Sequence, residues 1–365
     1  MVPGLPPPTY PDELGGGCVG EISTTLFRLC LGGWQGCALS INGRGMHVSV
    51  LNSSFEDCKG GAAHTRDGKG GAIAIGGGIQ KKDPPTNEVV VRDSSITRCQ
   101  ASGNRGGVYV TIRGRLKVES TSVHKCAALN SATSLPTLDW RKVEGMGGAI
   151  HCSAGGYVNV HNGVVLSANN AAVNGGGLSV KTGDAHIYGS ILVDYNTASG
   201  SAIDGFGNGG GVFITTSRWD DTGFIGPDWG GAYVYGADGY FQTHAGVVTI
   251  NVNAANRWGG GVYGGISPVW GHEANAVIVL VSADVFDNTA GRRGSITALF
   301  PAQLAGEHLK YPVGGSLSTQ AQLKFDDTMI SGNAASDIGI YTIDSVVPST
   351  VGTTFGTLAS PVVAE

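Results

Sequence analysis

One short frame of apolar residues returns eight times along this chain: two apolar residues two apart, then a third five further on. The copies are Val48/Val50/Phe55, Val89/Val91/Ile96, Leu116/Val118/Val123, Val158/Val160/Val165, Ala185/Ile187/Leu192, Val248/Ile250/Ala255, Val279/Val281/Phe286 and Leu323/Phe325/Ile330, with a weaker one at Gly20/Ile22/Phe27. A spacing of two is strand spacing, because alternate side chains share a face. The polar break inside each frame, such as Asn52-Ser53-Ser54 or Asp93-Ser94-Ser95, marks a corner. A Gly-Gly pair then opens a further short apolar strand, as in Gly70-Gly71-Ala72-Ile73 and Gly147-Gly148-Ala149-Ile150. Three strands and three corners per coil are expected, with glycine supplying tight corners at φ > 0.

No such piece can bury its apolar face alone, so each coil needs the coils above and below it. From Phe27 the third position recurs after 28, 41, 27, 42, 27, 63, 31 and 44 residues. The shortest intervals define the minimal coil, and the longer ones carry loops that leave the register intact. The fold expected is an all-β, right-handed parallel β-helix of about nine coils, a rod roughly 40–45 Å long at ~4.8 Å per coil. It occupies 18–345, with insertions near 79–88, 127–146, 216–246 and 293–321, between a Pro-rich arm (1–17) and a C-terminal tail (346–365). Disorder would not preserve such a pattern, and the scarcity of hairpin dipeptides argues against a sandwich or propeller.

Composition narrows the function. Glycine is 61 of 365 residues without a collagen period, charged residues are 14%, and the net charge is −5. That balance gives no reason to expect a nucleic-acid partner. No apolar run is long enough for a membrane helix. The stretch 1–11 lacks the basic and apolar regions of a secretory leader and reads as a polyproline II arm, in which Pro6, Pro7, Pro8 and Thr9 are O-glycan candidates. Asn52-Ser53-Ser54 is an N-glycosylation sequon on a polar corner.

Seven cysteines are present, and four of them, Cys30, Cys58, Cys99 and Cys126, stand three residues after the third apolar position. Stacked coils place these α-carbons within disulfide range. Either the column closes, with Cys30–Cys58 and Cys99–Cys126 as the favoured pairs, or it stays reduced as small apolar packing. Counting the same way, the column continues as Ala168, Tyr195, Trp258, Thr289 and Asn333. There is no CxxC, so no zinc is expected, and no cofactor motif occurs.

The pairing of Gly-Gly-Ala-Ile at 70–73 and 147–150 with Phe/Ile-x-x-Cys/Asn at 55–58 and 330–333 resembles the repeat of the chlamydial polymorphic membrane proteins. The resemblance spans roughly 20–340. It implies a parallel β-helix passenger of the surface-adhesin kind and assigns no activity. No run of alternating barrel strands follows the repeat, so the autotransporter arrangement is not expected of this sequence. The Pro-rich arm also resembles segments of algal cell-wall and mastigoneme glycoproteins.

Many parallel β-helices act on polysaccharides, so paired carboxylates deserve a search. Asp326-Asp327 sits at a corner whose counterpart in the preceding coil, Ser282-Ala283, offers no carboxylate. No HExxH, phosphate loop or triad-like set is found. The histidines, including His124, His161 and His186, are expected at the surface. Trp219, Trp229, Tyr233, Tyr235, Tyr240 and Trp270 cluster near the 216–246 insertion, either as an interface or sugar platform or as a small core under a loop. The reading that results is a non-enzymatic structural or adhesive subunit of a cell surface or extracellular fibre. Its partners would be other copies joined head to tail, other surface proteins, or glycans. A carbohydrate-active enzyme or sugar-binding module is the alternative, and a viral or phage spike component a second.

Overall fold

In a computed structural model, the structure describes residues 18–32, 37–43, 45–61, 70–77, 87–102, 106–111, 114–129, 145–153, 155–181, 183–200, 209–216, 239–244, 246–256, 260–266, 276–291 and 296–299. From 322 onward it describes the strand segments 322–326, 329–331, 334–335, 340–342, 349–351, 354–355 and 362–364. Every regular element among them is a strand, and every pairing is parallel to the equivalent strand one coil away. The result is a parallel β-helix.

Four strands, not three, make up each coil from Val19 to Thr342, and the described residues of 349–364 add three more. The first coil runs Val19–Ser23, Leu26–Arg28, Leu31–Gly32 and Leu39–Gly43, and these begin the first, second, third and fourth sheets. Among the described residues the sheets hold ten, ten, nine and ten strands respectively. The strand absent from the sequence reading is the third, only two residues long in every coil (Lys59–Gly60, Gln100–Ala101, Ala127–Ala128). Two residues are too few to show an alternating pattern. The last strands of the other sheets, at 349–364, fall within the segment read as a tail.

The apolar columns lie in register. Val48, Val89, Leu116, Val158 and Ala185 stack in the first sheet, and Phe27, Phe55, Ile96 and Val123 in the second. The columns fill the lumen: Val50, Phe55, Val89, Val158 and Ala185 have no measurable exposure. Phe27 and Phe55 stack with ring centroids 4.7 Å apart.

Four expected triplets are displaced. Val123 pairs with Leu166, which pairs with Val193; both are buried, whereas Val165 and Leu192 face outward. The corner explains it. Val50 and Ser53 are separated by Leu51 and Asn52, but Val160 and Val164 are separated by His161, Asn162 and Gly163. One added corner residue turns the next strand over. Further on, Val248 and Ile250 belong to the second sheet, paired with Ile191 and Val193, and Ala255 belongs to the third. The first-sheet strand of that coil is Gly239–Thr243, where a buried Thr243 takes the inward place of an aliphatic residue and hides the pattern. Its hydroxyl donates to Val281 O at 2.8 Å. In the next coil Ile278 and Leu280 align with Leu323 and Phe325, and the buried second-sheet residue is Val285, not Phe286.

Glycine serves close approach as well as turning. Gly70, Gly147, Gly175 and Gly209 do have positive φ. The column after them, Gly71, Gly106, Gly148 and Gly176, is excluded to other residues by contact. A Cβ on Gly148 would lie 2.3 Å from Gly176 O, and one on Gly106 would lie 2.4 Å from Gly148 O. Those atoms are backbone and cannot swing aside. The two corners flanking the second sheet turn largely on non-glycine residues with positive φ: Thr24, Asn52, Asp93 and Ser120 at one, Leu29, Asp57, Arg98 and Lys125 at the other. Gly148→Ala is expected to lower unfolding free energy by more than about 2 kcal/mol through this backbone clash, read from chemical denaturation.

Candidate functional site

The first corner, between the first and second sheets, carries two adjoining surfaces. In the early coils an inward hydroxyl follows the left-handed residue. Ser53, Ser94 and Thr121 each donate to the carbonyl two residues back (Leu51, Arg92, Glu119) at 2.7–2.8 Å. The same oxygens accept amide hydrogens from the preceding coil: Thr25 N to Ser53 Oγ at 3.2 Å and Ser53 N to Ser94 Oγ at 3.1 Å. This ladder satisfies backbone groups that a corner would otherwise orphan. Outside it runs an open groove of about 500 Å³ lined by Asn52, Ser54, Asp93, Ser95, Ser120 and Ser122 among others. Ser95 Oγ donates to Ser54 Oγ at 3.0 Å. Asp93 supplies the one carboxylate of this lining. The groove therefore presents hydroxyls, an amide and a carboxylate in rows one coil apart.

Beyond Gly163 the same corner becomes aromatic. His161, Tyr188 and His244 occupy one column at the end of the first sheet, as their neighbours Val160, Ile187 and Thr243 pair in register. His161 stacks on Tyr188 at 5.0 Å, and Tyr188 on His244 at 4.3 Å with rings 5° from parallel. His186 lies beside them, its Nδ1 3.2 Å from His244 Nε2, with Tyr157 5.2 Å away on its other side. Burial holds all three imidazoles below their ordinary value of 6.5, helped at His186 by His244 and at His161 by Lys117. The sequence alone places His161 and His186 at the surface, and the structure half-buries both. Their assembly with His244 needed the corrected position of Gly239–Thr243.

The second corner holds the cysteine column. Cys58, Cys99 and Cys126 are buried and Cys30 half-buried, and all seven cysteines are unbridged in this structure. Cys37, which the repeat did not single out, joins them: the Sγ atoms of Cys30, Cys37 and Cys58 lie within 4.8 Å of one another. Hydrogen bonds from Cys37 and Cys99 favour the thiolate at Cys58, while burial and the neighbouring Cys58 push Cys30 up. Trp258 and Asn333 lie outside the described residues, and the column does not continue as Ala168, Tyr195 and Thr289. It continues as Asn169, Asn196, Asn253 and Asn288, all buried. Asn169 Nδ2 donates to Asn196 Oδ1 at 2.9 Å, Asn196 Nδ2 to Asn253 Oδ1 at 3.0 Å, and Asn253 Nδ2 to Asn288 Oδ1 at 3.0 Å. Each Oδ1 also accepts an amide hydrogen from the preceding coil, beginning with Cys126 N to Asn169 at 2.9 Å.

Asn52 is exposed in the left-handed region at the groove. Tyr240 lies in the strand Gly239–Thr243, paired with Asp184, and Asp326 ends the strand Gln322–Asp326. Pro6, Pro7, Pro8, Thr9, Trp219, Trp229, Tyr233, Tyr235, Trp270 and Asp327 lie outside the described residues.

Comparison with protein-family profiles, with curated proteins and with solved structures finds no match.

Because the folded pKa values of His161, His186 and His244 are lowered, the fold favours their neutral forms. Their contribution to stability is present above about pH 6.5, the unfolded value, and is lost as pH falls through the lower folded values. Denaturation midpoints should therefore drop between about pH 7 and pH 5, and this drop should shrink in His186→Gln/His244→Gln. Histidine resonances titrating at or above 6.5 would contradict the assignment.

Proposed function

We propose that this chain is a non-enzymatic structural or adhesive rod of a cell surface or extracellular fibre, and that copies join head to tail. The observation that supports the reading is the first coil. Val19–Ser23, Leu26–Arg28, Leu31–Gly32 and Leu39–Gly43 each end their sheet with one edge unpaired among the described residues. The apolar side chains on that edge are open: Val19 is 84% exposed, Leu31 81%, Leu29 67% and Leu26 58%. Unpaired parallel edges are templates for further pairing, and apolar side chains add a driving force. A second copy is the fitting occupant because its far end carries the closing strands of the same four sheets, Ser349–Val351, Thr354–Phe355, Ala334–Ala335 and Val362–Ala364. Heterologous contact of this kind extends into a filament.

Sedimentation velocity and negative-stain microscopy test it. Wild-type protein should form end-to-end oligomers as its concentration rises. Leu26→Lys/Leu31→Lys should be monomeric with an unchanged circular dichroism spectrum, since exposed substitutions cost within about 0.5 kcal/mol. Wild-type protein that stays monomeric at high concentration would sink the proposal.

The first corner favours glycan binding as a second reading. Rows of hydroxyls beside stacked His161, Tyr188 and His244 suit a chain that offers hydroxyls and flat apolar faces. In affinity electrophoresis against acidic and neutral polysaccharides, retardation should weaken about tenfold in Tyr188→Ala, a loss the size of one aromatic contact. Release of new reducing ends would point to the enzyme alternative instead.

A further inference from the structure

The groups at the first corner are taken up by the readings above; the thiols at the mouth of the rod are not. Cys30 and Cys58 are stacked by the backbone, with Lys59 N donating to Cys30 O at 2.8 Å and Phe27 pairing with Phe55. Cys37 comes from a different part of the coil. It precedes the fourth-sheet strand Leu39–Gly43 and donates through Sγ to Cys30 O at 2.7 Å. Three sulfurs thus converge from three points on two coils, within 4.8 Å of one another.

We propose that Cys30, Cys37 and Cys58 form a binding site for one soft, thiophilic d10 cation of the zinc or copper(I) class. With metal–sulfur bonds of about 2.3 Å, thiolates around a tetrahedral or trigonal ion stand about 3.8–4.0 Å apart. Closing the observed trio onto an ion needs movement of less than about one ångström per sulfur. Soft sulfur ligands select such ions over magnesium or calcium. Cys30 and Cys37 each lose a proton to solvent on binding, while Cys58, whose thiolate is already favoured, supplies its sulfur directly. The three thiolates leave the site with one net negative charge around zinc or two around copper(I). Spacing in sequence conceals the set, because no two of the three form a CxxC. Cys99, next in the column, stacks below Cys58 and is fully buried.

The location gives the ion a structural role. Ile22, Phe27, Ala38 and Leu39 pack against the core only in part, so the first coil is less enclosed than the coils that follow it among residues whose burial is described. An ion held by Cys37 from one side and by Cys30 and Cys58 from another would tie the fourth sheet to the second corner across this mouth. The proposal is independent of end-to-end assembly, and its test does not read oligomeric state.

The test is an anaerobic titration of the reduced, metal-free full chain with cadmium and, separately, with zinc. One equivalent of cadmium should bind with a sulfur-to-cadmium charge-transfer absorption, cadmium should displace zinc from a chain loaded with zinc first, and zinc alone should raise the melting temperature. Cys37→Ser should weaken binding by about 100-fold or more, since even partners outside the ligand shell cost 10–100-fold. Cys37→His, which restores a ligand, should recover part of the affinity, and Cys99→Ser should leave the stoichiometry at one. Absence of stoichiometric uptake by the reduced wild type overturns the proposal, whatever the variants do. So does unchanged affinity in a folded Cys37→Ser, or a disulfide at Cys37 that persists in the isolated protein under mild reductant.

Discussion

Everything in this molecule depends on parallel pairing in register from one coil to the next. A strand here has no partner within its own coil; its amides and carbonyls are satisfied above and below. Register then places like positions in columns, and every column must solve the same packing problem repeatedly. Apolar columns do so by burial. Polar interior groups do so by bonding along the column, because an orphaned buried donor or acceptor costs about 1–3 kcal/mol. The hydroxyls of Ser53 and Ser94 and the carboxamides of Asn196 and Asn253 meet this condition in the same way, each accepting a backbone amide hydrogen from the preceding coil.

The columns also show what is interchangeable. At the first corner the inward hydroxyls of Ser53, Ser94 and Thr121 give way to Val164 and Ile191 once the corner gains a residue. At the second corner thiols give way to amides at Asn169. The glycine column admits no such exchange, because the carbonyl of the next coil occupies the space of a side chain. Constraint inside leaves freedom outside. The residues that turn outward at the first corner build a hydroxyl groove over the early coils and an imidazole–phenol stack over the later ones.

Much of this was legible in the sequence. The triplets from Val48 to Val123 align as read. From Val165 onward some did not, for definite reasons: a three-residue corner at His161-Asn162-Gly163, an inward Thr243, and two adjacent strands, Val248–Asn251 and Ala254–Ala255, that together imitate a triplet. The histidine–tyrosine stack was hidden by the same displacement. Cys37 was hidden because it stands outside the repeat frame, and the third sheet because its strands are two residues long.

The sequence by itself determined that the chain winds as a parallel solenoid, since apolar spacing of two, recurring with Gly-Gly through interrupted coils, has few other solutions. It also determined the cysteine column over the first four coils. Only the tertiary structure decided which residues face inward after a corner of different length, that asparagine continues the cysteine column, and that Cys37 and His244 join their clusters. The physical reason is that an alternating pattern records only which residues share a face. Hydrogen bonding between coils fixes which face is inside and which distant residues become neighbours, and a single added residue reverses it.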